Sequence, residues 1–433
     1  MENGRASAAQ ASGATSRVGG GALVVGVGLS ITGIGTLLSM AFTARSLDPV
    51  QYQAFVTWWA LATFFGAAFT VFEIYLSRLV VKVLSDGLNP KDVIAVISGR
   101  AWLAAIGLSC LILLLAPRIE RGLFHGNVAA TWLLPVFIFL AMLQCVQRGA
   151  ATGYRRFGMN AGQFMTDGIL RATFVTVVIL SGTSSMAMFA AATCLSAACS
   201  FVVANRIFPN SWTWPTLRRS HVPWRPLWFL LIGVLSIVLI NNGAVIWLSA
   251  SHSVPAATLG AFAGVMTLSQ IPTQLSSAVA SPALSHLAYA VDVGRVDEFH
   301  RLRRRVALVT TLFGAAFTAL FVLLGPEILQ IYLGSRFKLA RVDMAPLAAA
   351  SSLMLLTLVE QSVLGARRRW GTVGLMWSVG AVAFAVTLLL PVSTLLRAVL
   401  VPGVSVAFAF AGMLIVELWT SRSSEAVSKP MAF

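Results

Sequence analysis

The stretch VAATWLLPVFIFLAMLQCVQ, residues 128–147, contains no charged side chain over 20 positions. A helix of about 20 apolar residues is long enough to cross the hydrocarbon core of a bilayer. Its apolar residues do not alternate with polar ones, as they would in a strand of a membrane barrel. The segment therefore predicts a transmembrane helix, and similar segments recur along the chain.

The composition of the whole chain agrees with a membrane location. Hydrophobic residues make up 58% of the 433 residues and charged residues only 11%. A soluble domain has about 25% charged residues with which to cover its surface. This composition excludes a soluble enzyme and a nucleic-acid-binding module, and it makes membrane lipids the expected surroundings of most of the chain.

Twelve apolar segments follow one another between short polar connections. We predict helices at residues 19–44, 53–76, 97–117, 128–147, 160–181, 185–206, 227–250, 257–283, 306–324, 343–364, 371–391 and 396–419. Lipid permits only helices or closed barrels, because every backbone polar group must be satisfied internally. The predicted fold is therefore an all-α polytopic membrane protein of about 12 spans.

Basic residues are distributed unevenly between the two sides of these spans. If both termini lie on one side, 23 of the 31 Lys and Arg residues fall on that side and 7 on the other. Cytoplasmic loops retain Lys and Arg, so the bias predicts cytoplasmic N and C termini. The net charge of +16 is attributed to this topology.

Short motifs of the first half recur in the second half at a nearly constant offset. The pairs begin 207, 209 and 213 residues apart: Ala54-Phe55 and Ala261-Phe262, Leu115-Ala116-Pro117 and Leu324-Gly325-Pro326, Arg155-Arg156-Phe157-Gly158 and Arg368-Arg369-Trp370-Gly371. The repeat predicts two pseudo-symmetric six-helix bundles, an architecture in which transporters carry substrate between the halves. The expected domains are a disordered cytoplasmic tail (1–18), the bundles (19–206 and 227–419), an interfacial linker (207–226) and a cytoplasmic tail (420–433).

Polar side chains recur on one face of the eighth predicted span. They are spaced 3, 4, 3 and 4 residues apart: Thr267, Gln270, Gln274, Ser277 and Ser281. In the seventh span Asn241 and Asn242 are adjacent, so at least one of them faces away from lipid. Such residues either line a hydrophilic cavity or hydrogen-bond neighbouring helices, and the pattern favours a cavity.

The fifth predicted span carries charge deep in its apolar sequence. Gln163, Asp167 and Arg171 share one helical face, and Asp167 and Arg171 are spaced to pair. Arg171 lies too far from the nearest loop to reach water easily. We interpret it either as a cation presented to an anionic substrate and oriented by Asp167, or as half of a self-neutralised pair.

Two other carboxylates lie in apolar segments. Glu73 of the second span is interpreted either as a protonatable group or cavity counter-ion, or as a salt-bridge partner of Arg78 or an acid that snorkels to the interface. Glu360, near the end of the tenth span, is expected to cap that helix end against the basic run 367–369.

Neither a catalytic constellation nor a cofactor motif is present in the sequence. The five histidines show no metal-ligand spacing, and no P-loop sequence occurs. We therefore predict a protein that is not an enzyme and that holds neither a metal nor an organic cofactor. The enzymatic alternative, a membrane glycosyltransferase or ligase, would need a long outer loop, and none is predicted.

Three short motifs lie next to predicted spans. They are Ala44-Arg45-Ser46-Leu47-Asp48-Pro49 with Tyr52 and Phe55 after the first span, Arg148-Gly149 with Gly153 and Arg156-Phe157 after the fourth, and Leu259-Gly260-Ala261-Phe262 at the start of the eighth. These motifs resemble those of the Wzx-type polysaccharide flippases, which belong to a superfamily that includes the MATE multidrug exporters. The resemblance implies a MATE-like fold in the cytoplasmic (inner) membrane.

The resemblance also implies a substrate, an oligosaccharide linked to polyprenyl pyrophosphate, which is flipped by alternating access for cell-surface polysaccharide biosynthesis. Arg171 would bind the pyrophosphate, with Arg78, Arg148 or Arg45 at the cavity mouths. The amides of Gln163, Asn241, Asn242, Gln270 and Gln274 would contact substrate.

Coupling and partners follow from the same resemblance. Glu73 and Asp167 are the candidate coupling carboxylates for H⁺ or Na⁺, and a polysaccharide polymerase and export proteins are expected partners. The alternative is a MATE-type cation-coupled exporter of drugs or metabolites, which would need a cavity rich in acidic and aromatic residues.

Overall fold

A computed structural model of the chain describes residues 2–209, 213–216, 225–274, 296–367 and 369–428. Within these ranges the ordered elements are helices, and no strand occurs. In chain order they are α1 (Glu2–Ser46), α2 (Pro49–Ala67), α3 (Thr70–Ser85), α4 (Lys91–Leu114), α5 (Ala116–Leu123), α6 (Val128–Gly153), α7 (Phe157–Leu180), α8 (Met186–Ile207), α9 (Arg225–Ser251), α10 (Ala256–Ser269), α11 (Val296–Leu333), α12 (Arg341–Ala366), α13 (Trp370–Leu388) and α14 (Thr394–Ser428).

Eleven helical segments among the described residues are long and apolar enough to cross a membrane. They coincide with eleven of the twelve predicted spans, so the prediction of an all-α polytopic membrane protein is confirmed. The remaining predicted span, 257–283, begins with α10 and is described only as far as Gln274. Its polar residues Ser277 and Ser281 therefore lie outside the described part of the chain.

The second predicted span is divided in two. The helix predicted at 53–76 is α2 followed by α3, and together they form one candidate span of 37 residues, Pro49–Ser85. At the junction, the Ala68 and Phe69 amides donate to the carbonyls of Phe65 and Gly66, three residues earlier. This tighter turn separates the two helices, and the combined segment is longer than is needed to cross the ~30 Å hydrocarbon core.

The predicted termini also differ from the structure. Residues 2–18, predicted as a disordered tail, are part of α1. They contain many Ala residues and no Pro, and a helix once nucleated by the following span extends readily through such a sequence. At the other end, α14 continues past the predicted boundary at 419 to Ser428. Of the predicted linker 207–226, residues 210–212 and 217–224 lie outside the described ranges.

Helices α1 to α8 belong to the first half of the chain, where α1 packs along α7 and α7 packs along α8. The backbones of α1 and α7 come very close at two glycines. A Cβ atom on Gly168 would lie 2.6 Å from the Cα of Thr32, and a Cβ on Gly35 would overlap the backbone of Gly168. Small residues permit this approach of membrane helices, and it presses the middle of α7 against α1.

Helices α9 to α14 form the second half, and α2 is the principal element that joins it to the first, packing on both α9 and α10. The hydroxyls of Thr57 and Ser249 lie 2.5 Å apart across this contact. Near the start of α2, the ring of Tyr52 meets that of Phe337 edge-on, with centroids 5.0 Å apart. All four side chains are buried, so solvent is excluded from the contact between the halves at these positions.

Candidate functional site

A cavity of about 290 Å³ lies between the two halves, beneath the contact of α2 with α9 and α10. Residues of α1, α2 and α7 line it on the first-half side. Residues of α9, of α10 and of the segment that follows α10 line it on the second-half side. Its polar lining residues are Thr32, Thr36, Thr63, Arg171, Asn241, Asn242, Thr267, Gln270 and Gln274. The cavity thus brings together six residues that the sequence singled out: Arg171, Asn241, Asn242, Thr267, Gln270 and Gln274.

Arg171 is fixed in the first-half wall by contacts on several sides. One guanidinium nitrogen is ion-paired with Asp167, one turn earlier on α7. The other terminal nitrogen donates to the hydroxyl of Thr36 on α1 at 2.8 Å, a contact that the close packing of α1 and α7 makes possible. The guanidinium carbon lies 4.7 Å from the ring centroid of Trp59 on α2. The Nε of Arg171 has no hydrogen-bond partner among the described residues.

Asp167 lies behind Arg171 rather than in the cavity lining. Its side chain is 11% exposed, and its second oxygen accepts a hydrogen bond of 3.2 Å from Ser196 of α8. The pairing predicted from the four-residue spacing is therefore present. Arg171 is the one charged residue among the described lining residues, so the cavity presents a cationic group and no carboxylate.

The second-half wall supplies amides. Asn242 accepts a 3.2 Å hydrogen bond from the Thr63 hydroxyl of α2, which links the halves beside the cavity. The side-chain amides of Asn241 and Gln270 have no hydrogen-bond partner among the described residues. Amides left free in a membrane-embedded cavity need a polar partner, either water or a ligand with hydroxyl or amide groups.

The remaining predicted site residues lie outside this lining. Gln163 is buried, and its amide nitrogen donates to the side-chain oxygen of Gln147 at 3.1 Å. Arg148 is also buried, with its guanidinium over the ring of Phe164. Arg45 donates to the main-chain carbonyl of Ile331 in the second half.

The ion-pair partners of Glu73 and Glu360 differ from those considered from the sequence. Glu73 pairs with Arg148, at 2.9 Å, and not with Arg78, because α3 packs along α6 and brings together residues far apart in sequence. Arg78 instead lies over the ring of Trp370, 5.5 Å from its centroid.

Glu360, expected to cap its helix end against the basic run 367–369, forms its ion pair with Arg303 instead, although the charge of Arg367 also acts on it. Arg368 lies outside the described residues. Both carboxylate oxygens of Glu360 accept hydrogen bonds from Arg303 of α11. Arg303 also pairs with Glu417 of α14, so it joins two nearly buried carboxylates.

Sequence reasoning missed three cavity residues: Thr32, Thr36 and Trp59. Thr32 and Thr36 are four residues apart on α1, and this spacing was the sequence signal that could have placed them on one cavity-facing side. The signal is weak, because Thr hydroxyls in helices commonly hydrogen-bond to a carbonyl of their own helix. Trp59 carries no such signal, because an aromatic residue in an apolar span is typical of ordinary packing. Within the described part of the chain, no group of three or more His, Cys, Asp or Glu residues is placed to hold a metal.

No protein-family model and no curated protein sequence matches this chain. Solved structures do match it along nearly their whole length. An inward-facing multidrug resistance MATE transporter of the MOP superfamily superposes with a TM-score of 0.71 at 12% identity, over 94% of this chain and 99% of the other. The chain has the fold of the MATE transporters.

Two further structures agree with this fold. A point mutant of the Vibrio cholerae MATE transporter VcmN gives a TM-score of 0.64 at 11% identity, over 95% of this chain and 98% of the other. A MOP superfamily transporter from Pyrococcus furiosus, described as having a binding pocket of reverse polarity, gives 0.62 at 11% identity, over 96% of each chain. The proteins that share the MATE fold here are thus transporters rather than enzymes.

Proposed function

We propose that the protein flips a polyprenyl-pyrophosphate-linked oligosaccharide across the cytoplasmic membrane by alternating access, as a step in cell-surface polysaccharide biosynthesis. One observation carries the proposal. A cavity lies between the two halves of a chain that has a transporter fold. Among its described lining residues one is charged, Arg171, and the free amides of Asn241 and Gln270 lie on the opposite wall.

The chemistry of this cavity fits the headgroup of such a lipid. A guanidinium binds phosphate oxygens through charge-assisted hydrogen bonds, and Arg171 brings this group to the cavity lining. Amides both donate and accept, which suits sugar hydroxyls. A volume of about 290 Å³ is close to the lower end of ligand pockets, and the prenyl tail would remain in the bilayer.

Coupling at Glu73 and Asp167 stays part of the proposal. Each carboxylate is paired with an arginine in the structure, Glu73 with Arg148 and Asp167 with Arg171. A coupling H⁺ or Na⁺ would therefore have to compete with a guanidinium at either site. The cytoplasmic termini, the two-bundle division and an association with a polymerase and export proteins belong to the same proposal.

A cation-coupled drug exporter is the second candidate, because multidrug MATE transporters share the fold. The charge of the cavity argues against it. An aromatic ring that faces a cavity can bind an organic cation, but the Trp59 ring is already covered by the guanidinium of Arg171. A second cation there would be repelled, and no carboxylate among the described lining residues offsets the repulsion.

The two candidates are separated by depletion of the protein in its native host. For the flippase, lipid-linked glycan accumulates on the inner leaflet and surface polysaccharide is lost, while sensitivity to cationic dyes does not change. Arg171→Ala reproduces this loss with normal membrane insertion, and Arg118→Ala, an exposed arginine of α5, does not. Increased dye sensitivity without glycan accumulation would favour the exporter, and normal surface glycan in Arg171→Ala would remove Arg171 from the site.

A further inference from the structure

Trp59 is the aromatic side chain of the described cavity lining, and the role proposed above for the cavity does not use it. It projects from the middle of α2 and is half-buried. The ring of Phe137 on α6 supports it edge-on, with centroids 6.3 Å apart. Its indole N–H has no hydrogen-bond partner among the described residues. The indole is therefore held in place while keeping a donor available.

The position of Trp59 relative to Arg171 suits it to a role in recognition. The guanidinium carbon and the indole centroid are 4.7 Å apart, so groups bound at the two side chains must be immediate neighbours in one molecule. In a glycosyl diphosphate, the phosphate and the first sugar ring are such neighbours. The first sugar ring carries hydroxyl groups that can accept a hydrogen bond from the indole N–H. The guanidinium of Arg171 lies over the face of the indole, so this donor is the group through which Trp59 meets the sugar.

Building on the proposed function, we propose that Trp59 recognises the first sugar of the substrate, next to the phosphate held by Arg171. Trp59 is then a specificity-determining residue that distinguishes the glycosylated lipid from the bare prenyl diphosphate. The amides of Asn241 and Gln270 contact the same sugar from the second half. A molecule with a diphosphate and no sugar uses Arg171 alone.

The test measures binding to the full-length protein in lipid nanodiscs by titration calorimetry. The two probes are farnesyl diphosphate and the same diphosphate bearing one N-acetylglucosamine. We expect Trp59→Leu to weaken binding of the sugar-bearing probe by roughly tenfold and to change that of farnesyl diphosphate by less than about twofold. Trp59→Phe keeps an aromatic ring but has no N–H donor, so it should show a loss similar to that of Trp59→Leu. Arg171→Gln should weaken both probes.

Trp132→Leu is the matched control, since Trp132 is a 59% exposed tryptophan of α6 that lies outside the cavity. It should leave both affinities unchanged, and all variants are checked for monodispersity and thermal unfolding. Equal weakening of both probes by Trp59→Leu, or no weakening of either, would overturn the role of Trp59 while leaving the flippase proposal standing. A wild-type protein that binds neither probe would overturn the flippase proposal itself, and this inference with it.

Discussion

The buried pair of Asp167 and Arg171 offers a way to separate a structural role for Arg171 from a role in binding. Arg171→Gln removes the cation and leaves the Asp167 carboxylate with only the hydrogen bond from Ser196. The two side chains are 11% and 8% exposed, so solvent screens them little. Breaking a buried pair from one side costs about 3–5 kcal/mol, against about 0.2–1 kcal/mol for an exposed pair. Because Ser196 still satisfies one oxygen, we expect the lower end, about 3 kcal/mol.

The double variant Arg171→Gln/Asp167→Asn removes the stranded charge. It should regain stability to within about 1 kcal/mol of wild type, since neutral groups replace both ions. Binding of farnesyl diphosphate and glycan export should remain lost, because the cation is still absent. Thermal unfolding of detergent-purified protein gives the order of stability, and titration with farnesyl diphosphate gives binding.

Two results would refute this reasoning. If the double variant regains export together with stability, Arg171 acts only as half of a self-neutralised pair, the alternative that the sequence left open. If Arg171→Gln unfolds at the wild-type temperature, the two charges are not coupled in the way their burial implies.

Three further predictions concern the scaffold. Arg303→Met removes the cation shared by Glu360 and Glu417 and leaves Arg367, 3.8 Å from Glu417, to offset the two buried charges. It should destabilise the protein by about 3 kcal/mol, seen as a lower unfolding temperature, and an unchanged temperature would show that this ion network is not stabilising. Gly168→Ala should reduce the yield of folded protein, because the new Cβ would lie 2.6 Å from the Cα of Thr32; Gly162→Ala, with open space around its Cβ, is the control, and equal yields of the two variants would contradict the packing of α1 on α7. Asp48→Ala removes the carboxylate that caps α2 and should cost about 1 kcal/mol with export retained, whereas loss of export at wild-type stability would contradict a purely structural role for this residue.

The cavity residues that could be predicted from the sequence are polar residues within apolar spans, where contact with lipid is unfavourable. Arg171, Asn242 and Gln270 stood out because a charge or amide in hydrocarbon needs protein or water around it. The structure places all three at one cavity, although they lie far apart in the chain. Spacing on a single helix also predicted the pair of Asp167 and Arg171 correctly, since that contact is local.

Contacts between helices were not predictable in the same way. Arg78 was considered as a partner of Glu73 because it is close in sequence, but the partner is Arg148, which lies on α6 alongside α3. The break between α2 and α3 has no proline to mark it and depends on how the chain packs. Trp59 was indistinguishable from core aromatics until α7 brought Arg171 over its ring.

The division of polar groups between the two walls bears on how substrate binding would drive the proposed movement. Arg171 and Trp59 belong to the first half, whereas the free amides of Asn241 and Gln270 belong to the second. A ligand shifts a conformational equilibrium only by the difference in its affinity for the two states. A diphosphate bound at Arg171 alone touches one half and gains nothing from a change in the separation of the halves. A sugar that also reaches the amides loses contacts when the halves part on its side, so it is the sugar, and not the anion, that can favour one state over the other.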